Sequence, residues 1–147
     1  MSVFRFRMQS ILDMKGKLEE QAKNEFAKAQ KELEEEEELL QSLIDRKEAY
    51  LAHGVFLRSQ QIDVREILDN KKSIEHTEML IEKQVLSVNV AQKKLDAAAK
   101  QMMDARIQTK TYEKLKEKAF ESFLEEEAKR ESKEIDELNS YRFGNKK

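Results

Sequence analysis

The chain has 147 residues, 39% of them charged and 39% hydrophobic, with net charge −2, no cysteine, no tryptophan, no proline and three glycines. Proline and glycine interrupt helices, and an average chain of this length carries about seven and about ten of them. The lack of cysteine excludes disulfides and thiolate metal sites, the near-zero net charge gives no general attraction to nucleic acid, and no run of about 18 apolar residues is present to cross a membrane.

Glu, Lys, Ala, Leu and Gln dominate the composition, and all are strong helix formers. Disorder is the rival reading of so much charge, but the apolar residues recur at regular spacing, which disordered chains lack. They are also spread along the whole chain rather than gathered for a globular core. The expected class is all-α, a coiled coil.

The opening Met1-Ser2-Val3-Phe4-Arg5-Phe6-Arg7 has no apolar h-region and does not read as a secretory signal, so a cytoplasmic protein is the expectation. Phe4-Arg5-Phe6-Arg7-Met8 is cationic and aromatic. It reads as a fraying helix start, with lipid contact as the sharper alternative.

A first helix is expected over about residues 3–52. Its apolar stripe runs Phe4, Met8, Ile11, Leu18, Ala22, Phe26, Ala29, Leu33, Leu40, Ile44 and Leu51, with Lys15, Glu37 and Lys47 filling the remaining slots. Two stutters, at Leu18–Ala22–Phe26 and Ala29–Leu33–Glu37, predict a nearly straight helix. The acidic run at 34–38 reads as a solvated segment or as a dock for a basic partner. A second stripe of Leu39, Leu43, Arg46 and Tyr50 lies beside the first and predicts a wider contact, with the tip loop or with an outside partner.

The first helix is expected to end at Ala52-His53-Gly54-Val55, with Gly54 as the left-handed terminal residue. Residues 53–62 then form a tip loop or short helix, and Asp63-Val64-Arg65-Glu66 is a capping-box variant that opens a second helix over about residues 63–141. That helix carries a heptad stripe through Val64, Ile67, Lys71, Ile74, Glu78, Ile81, Val85, Val88, Gln92, Leu95, Ala99 and Met102. After Met102 the phase shifts, to Phe120, Leu124, Ala128, Ile135 and Leu138. Residues 142–147, with Gly144 and the final lysines, read as a frayed tail.

Neither helix is stable alone, because its apolar stripe needs a partner. Folding back near residue 57 makes one coiled-coil domain over 1–147, an antiparallel two-helix hairpin with Phe4 opposite about residue 110. The second arm then outruns the first by roughly 30 residues. This overhanging C-terminal arm carries Tyr112, Leu115, Phe120, Phe123 and Leu124 without an intramolecular partner. Lys71, Glu78, Gln92 and Arg106 make the seam impure, which fixes register at a cost in stability. From 110 to 147 there are ten basic and ten acidic residues, which argues against nucleic-acid binding there.

No catalytic set is present. His53 and His76 have no carboxylate or cysteine spacing around them that makes a metal motif, and no glycine-rich loop cradles a phosphate. No cofactor, no metal and no enzymatic activity are expected.

The opening Phe4-Arg5-Phe6-Arg7-Met8-Gln9-Ser10-Ile11-Leu12-Asp13, followed by Glu20-Gln21-Ala22, resembles the start of the bacterial flagellar export protein FliJ. Lys110-Thr111-Tyr112-Glu113-Lys114-Leu115-Lys116-Glu117-Lys118 and Lys129-Arg130-Glu131-Ser132-Lys133-Glu134-Ile135-Asp136-Glu137-Leu138 resemble that family's C-terminal stretches. The likeness spans the whole chain in length and layout. It implies a component of the flagellar type III export apparatus, similar to the central stalk of rotary ATP synthases. The implied partners are the hexameric export ATPase, the cytoplasmic domain of the membrane export gate, and export chaperones, at the cytoplasmic face of the membrane by the flagellar base. On this resemblance the gate would meet Leu39, Leu43, Arg46 and Tyr50 of the first helix and Ile67, Lys71, Ile74 and Glu78 of the second. Arg46 stands where some members carry an aromatic. The end with both termini, carrying Phe4, Phe6, Tyr112, Leu115, Phe120, Phe123 and Leu124, would meet the ATPase ring. The alternative from another class is a holdase-type or scaffold coiled coil that binds helical partners.

Overall fold

The computed structural model describes residues 2–145, and the chain is built from two helices, α1 (Gln9–Ser59) and α2 (Val64–Asn145), joined by residues 60–63. No strand occurs among the described residues. The helices run antiparallel: Tyr50 meets Asn70, Glu36 meets Gln84 and Lys15 meets Thr109, so numbers fall along one helix as they rise along the other. The chain divides into two compact units, one of residues 22–102 around the turn, the other of residues up to Gln21 together with those from Met103 onward.

In the unit around the turn, the seam on α1 runs through Ala22, Phe26, Ala29, Leu33, Glu36, Leu40, Leu43, Lys47, Tyr50, Gly54 and Leu57, with Glu32 and Ile44 half-buried beside it. The seam's steps alternate strictly between three and four residues, the period of a coiled coil. On α2 the matching seam is Ile67, Asn70, Ile74, Thr77, Ile81, Gln84, Val88, Ala91, Leu95, Ala98 and Met102, with the same alternation, and Ser73, Leu80 and Ala99 are half-buried beside it. A helix in a two-stranded coil buries one stripe only. Few residues are therefore fully covered, and Leu43, at 7% exposure, is among the deepest apolar ones.

Polar residues inside this seam are satisfied by the backbone. The Asn70 side-chain amide donates to the Tyr50 carbonyl at 2.9 Å, and the Gln84 amide donates to the Glu36 carbonyl at 2.9 Å and to the Glu36 carboxylate. Thr77 is the most deeply buried side chain, and its hydroxyl donates to the Ser73 carbonyl one turn back. No buried side-chain nitrogen or oxygen lacks a hydrogen-bond partner among the described residues.

The other unit continues the pattern. Leu12, Lys15 and Glu19 of α1 are half-buried, as are Ala105, Tyr112, Lys116, Ala119, Phe123 and Glu127 of α2, while Thr109 is buried. The Thr109 hydroxyl reaches both the Lys15 carbonyl across the pair and the Ala105 carbonyl on its own helix, each at 3.1 Å.

Several expectations are corrected. α1 begins at Gln9 rather than near residue 3, and it runs through Gly54 to Ser59 rather than stopping at Ala52. Gly54 is not left-handed; no glycine has positive φ. Its role is steric: a Cβ there would stand 2.7 Å from Asn70 Oδ1, so the missing side chain admits the amide that bonds Tyr50. The predicted stutters are absent, because Leu12, Glu19, Glu36 and Tyr50 take the seam where Ile11, Leu18, Glu37 and Leu51 were expected. On α2 the expected Lys71, Glu78, Val85 and Gln92 lie beside the seam, one residue past Asn70, Thr77, Gln84 and Ala91, and the phase does not shift after Met102. α2 starts where Asp63 takes the Arg65 N–H on its carboxylate and the Ile67 N–H on its carbonyl, an N-cap arrangement. It continues helical through Asn145; of the tail expected at 142–147, Lys146 and Lys147 lie outside the described residues.

Candidate partner-binding surfaces

The later turn moves every pairing. Phe4 does not face residue 110. Its ring lies edge-on to Phe120 at 5.2 Å and tilted against Phe123 at 5.5 Å. Lys15 places its ammonium 5.9 Å from the centre of the Tyr112 ring, a cation–π contact. Arg106, expected in the seam, is exposed and reaches Glu19 at 3.7 Å.

The terminal-side residues therefore split. Phe4, Phe6, Tyr112 and Phe123 are half-buried in contacts within the chain, while Leu115, Phe120 and Leu124 keep much of their surface in solvent. The expectation that Tyr112, Phe120 and Phe123 overhang without a partner is overturned. The stretch of α2 with no partner starts later. Arg130 donates to the Ser2 hydroxyl at 3.1 Å, and every residue from 131 to 144 is exposed. Ile135, Leu138, Tyr141 and Phe143 are the large apolar groups there. The reading by heptads missed Tyr141 and Phe143, which fall off the stripe.

The turn-side residues split as well. Leu43 and Tyr50 belong to the seam, as do Ile67 and Ile74. Leu39, 49% exposed, and Arg46 stay outside on α1. Lys71 is exposed, and Glu78 pairs with Lys47 at 3.3 Å. The supposed double stripe is thus one seam plus an outer edge. The signal for this was present: Leu40, Leu43, Lys47 and Tyr50 already step by three and four. Phe56, Ile62 and Leu68 are exposed large apolar residues around the turn that neither expected stripe includes, and Leu51, Val55 and Val64 are exposed where a seam or a capping contact was expected. Phe56 and Ile62 fall in the stretch 53–62 expected as a tip loop or short helix, whereas α1 runs on through Ser59.

His53 stacks on Phe56 with ring centres 6.3 Å apart, and His76 is exposed. Among the described residues no group of His, Asp and Glu side chains is placed to hold a metal ion, and no helix is long and apolar enough to cross a membrane. What the arrangement offers is surface: apolar side chains without cover, around the turn and past Arg130.

The family model for the flagellar FliJ protein matches residues 4–147. The chain belongs to the flagellar FliJ family. It is accordingly a component of flagellar protein export, of the type III secretion kind, and its family is a non-catalytic one. A solved structure of a YscO homolog from Chlamydia trachomatis is similar to the chain at 23% identity, covers 94% of each chain, and superposes with a TM-score of 0.48. Comparison with curated proteins finds no match.

Proposed function

We propose that the chain is a coiled-coil stalk of the flagellar export apparatus, linking the export ATPase hexamer to the cytoplasmic domain of the export gate and assisting export chaperones, peripherally held at the cytoplasmic face of the membrane. The observation that carries this reading is the uncovered apolar surface of each unit. Ile135, Leu138 and Tyr141 fall at steps of three on one face of α2, and a contiguous exposed apolar patch marks an interaction site. Around the turn, Leu39, Arg46, Lys71 and Glu78 offer the gate an outer edge, with Phe56, Ile62 and Val64 nearby in sequence. Leu43, Tyr50, Ile67 and Ile74 support that edge from within the seam. At the terminal side, Leu124, Ile135, Leu138, Tyr141 and Phe143 offer the ATPase ring a helical surface beside the Phe4, Phe120 and Phe123 cluster.

The test is direct. Purified chain is expected to stimulate hydrolysis by the matching export ATPase, and removal of residues 131–147 is expected to abolish the effect without changing the paired part of the hairpin. Undiminished stimulation by the shortened chain would remove the ring from that surface. A scaffold that pairs copies of this chain is the second reading, favoured by the same bare Ile135, Leu138 and Tyr141.

A further inference from the structure

The residues ahead of α1 are not helical, and their side chains alternate. Phe4, Phe6 and Met8 turn inward against α2, while Val3, Arg5 and Arg7 face solvent. That period of two belongs to an extended segment. Phe4 seats on Phe120 and Phe123, and Ser2 accepts a hydrogen bond from Arg130. The Phe6 carbonyl accepts from the Gln9 N–H at the junction with α1, and no other backbone–backbone hydrogen bond is made by residues 2–6 among the described residues. Across to α2 the segment is held by side chains.

α2 is patterned for something else at this place. Its seam positions Tyr112, Lys116, Ala119 and Phe123 keep the three-four alternation that meets a helix everywhere further along. Tyr112 still meets Lys15 of α1, but Ala119 and Phe123 lie against the extended strap instead. The strap covers the face incompletely: Leu115 and Phe120 remain 40% and 43% exposed, and a cleft of about 530 Å³ opens among Phe4, Phe6, Met8, Leu115, Ala119 and Phe123.

We propose that residues 2–7 are a displaceable strap, an internal ligand on the helix-binding face of α2 at Leu115, Ala119 and Phe123, and that an amphipathic helix of the export ATPase takes its place on binding. The proposal rests on the ATPase reading given above. The incoming helix supplies apolar side chains at steps of three and four, with an acidic group opposite Lys116. Side-chain contacts with no backbone ladder mark a segment that opens locally without unfolding the rest. A partner that must first displace the strap binds with an affinity reduced by the fraction of chains whose face is open.

The experiment compares ATPase binding by the full chain and by the chain lacking residues 2–7, with helicity checked by circular dichroism. If the strap is seated about nine-tenths of the time, its removal tightens binding about tenfold. Unchanged or weaker binding overturns the strap as a competitor and leaves the stalk reading standing. An ATPase that binds neither form overturns both. The full-length Phe4→Trp variant gives a second readout, since the chain has no other tryptophan. Its emission is expected to shift to the red when the ATPase binds and the ring enters water. A blue shift or no shift means that the strap stays seated, and the proposal fails.

Discussion

Gly54 sits inside α1, opposite Asn70, and the pair forms a lock of unusual economy. The Tyr50 carbonyl already receives the helical N–H four residues on, and it also accepts the Asn70 amide at 2.9 Å. Alanine in a helix interior is worth about 1 kcal/mol over glycine. Against that, a Cβ at 54 would meet Asn70 Oδ1 at 2.7 Å and drive the amide from its acceptor. A buried polar group left without its partner costs about 1–3 kcal/mol. Gly54→Ala is therefore expected to destabilise the hairpin by about 1 kcal/mol. In an Asn70→Ala background the same change is expected to stabilise it, by up to about 1 kcal/mol. Urea unfolding followed by circular dichroism reads both, and a stabilising Gly54→Ala in the otherwise native chain would contradict the account. The sequence shows the glycine but not this reason for it. A glycine flanked by His53 and Val55 reads as a helix end, because its partner lies across the hairpin and is invisible to local patterning.

At the scale of the helices the open question in the sequence was register. One line of the α2 seam, Ile67, Ile74, Ile81, Val88, Leu95 and Met102, is legible from hydrophobicity. The other line is Asn70, Thr77, Gln84, Ala91 and Ala98, polar or small residues that do not mark a seam by hydrophobicity, and Val85 beside Gln84 is the stronger apolar signal. Polar groups enter the seam because carbonyls of α1, or of the preceding turn of α2, accept their protons, and that acceptance is a tertiary fact. The same limit hid the N-terminal strap, although the Phe-Arg-Phe-Arg alternation announces an extended segment. The two-helix antiparallel class was legible; the pairing was not, because a turn displaced from about residue 57 to residues 60–63 moves the partners on α2 by about six residues at Tyr50 and Glu36 and about ten at Lys15, or about 9–15 Å along the helix. Cysteines at Lys15 and Thr109 are therefore expected to join within one chain under a short bifunctional thiol reagent. Cysteines at Lys15 and Ala99, the pairing that a turn at 57 implies, are expected not to. Efficient linkage of the second pair in a monomer would mean that the register is wrong.

For the molecule as a whole, the balance between apolar exposure and charge decides how it behaves without partners. Its net charge of −2 supplies little repulsion between copies. Apolar side chains stand bare around the turn, at Val55, Phe56, Ile62 and Val64, and past Arg130, at Ile135, Leu138, Tyr141 and Phe143. A helix of about 15 residues is marginal alone in water, so α2 beyond Arg130 gains from any helical neighbour. Its mixed charges, with Lys129, Arg130 and Lys133 among Glu131, Glu134, Asp136 and Glu137, do not forbid a second copy. The isolated chain is thus expected to self-associate weakly and reversibly, and sedimentation velocity over a concentration series should show the average coefficient rising with concentration. The chain lacking residues 131–147 is expected to stay monomeric over the same range. A rise that survives the truncation would move the self-contact to the turn, and a dimer that persists at the lowest concentrations would favour the scaffold over the stalk. If the stalk reading holds, adding the export ATPase lowers self-association of the full chain, because one helical face cannot serve a second copy and a ring at once.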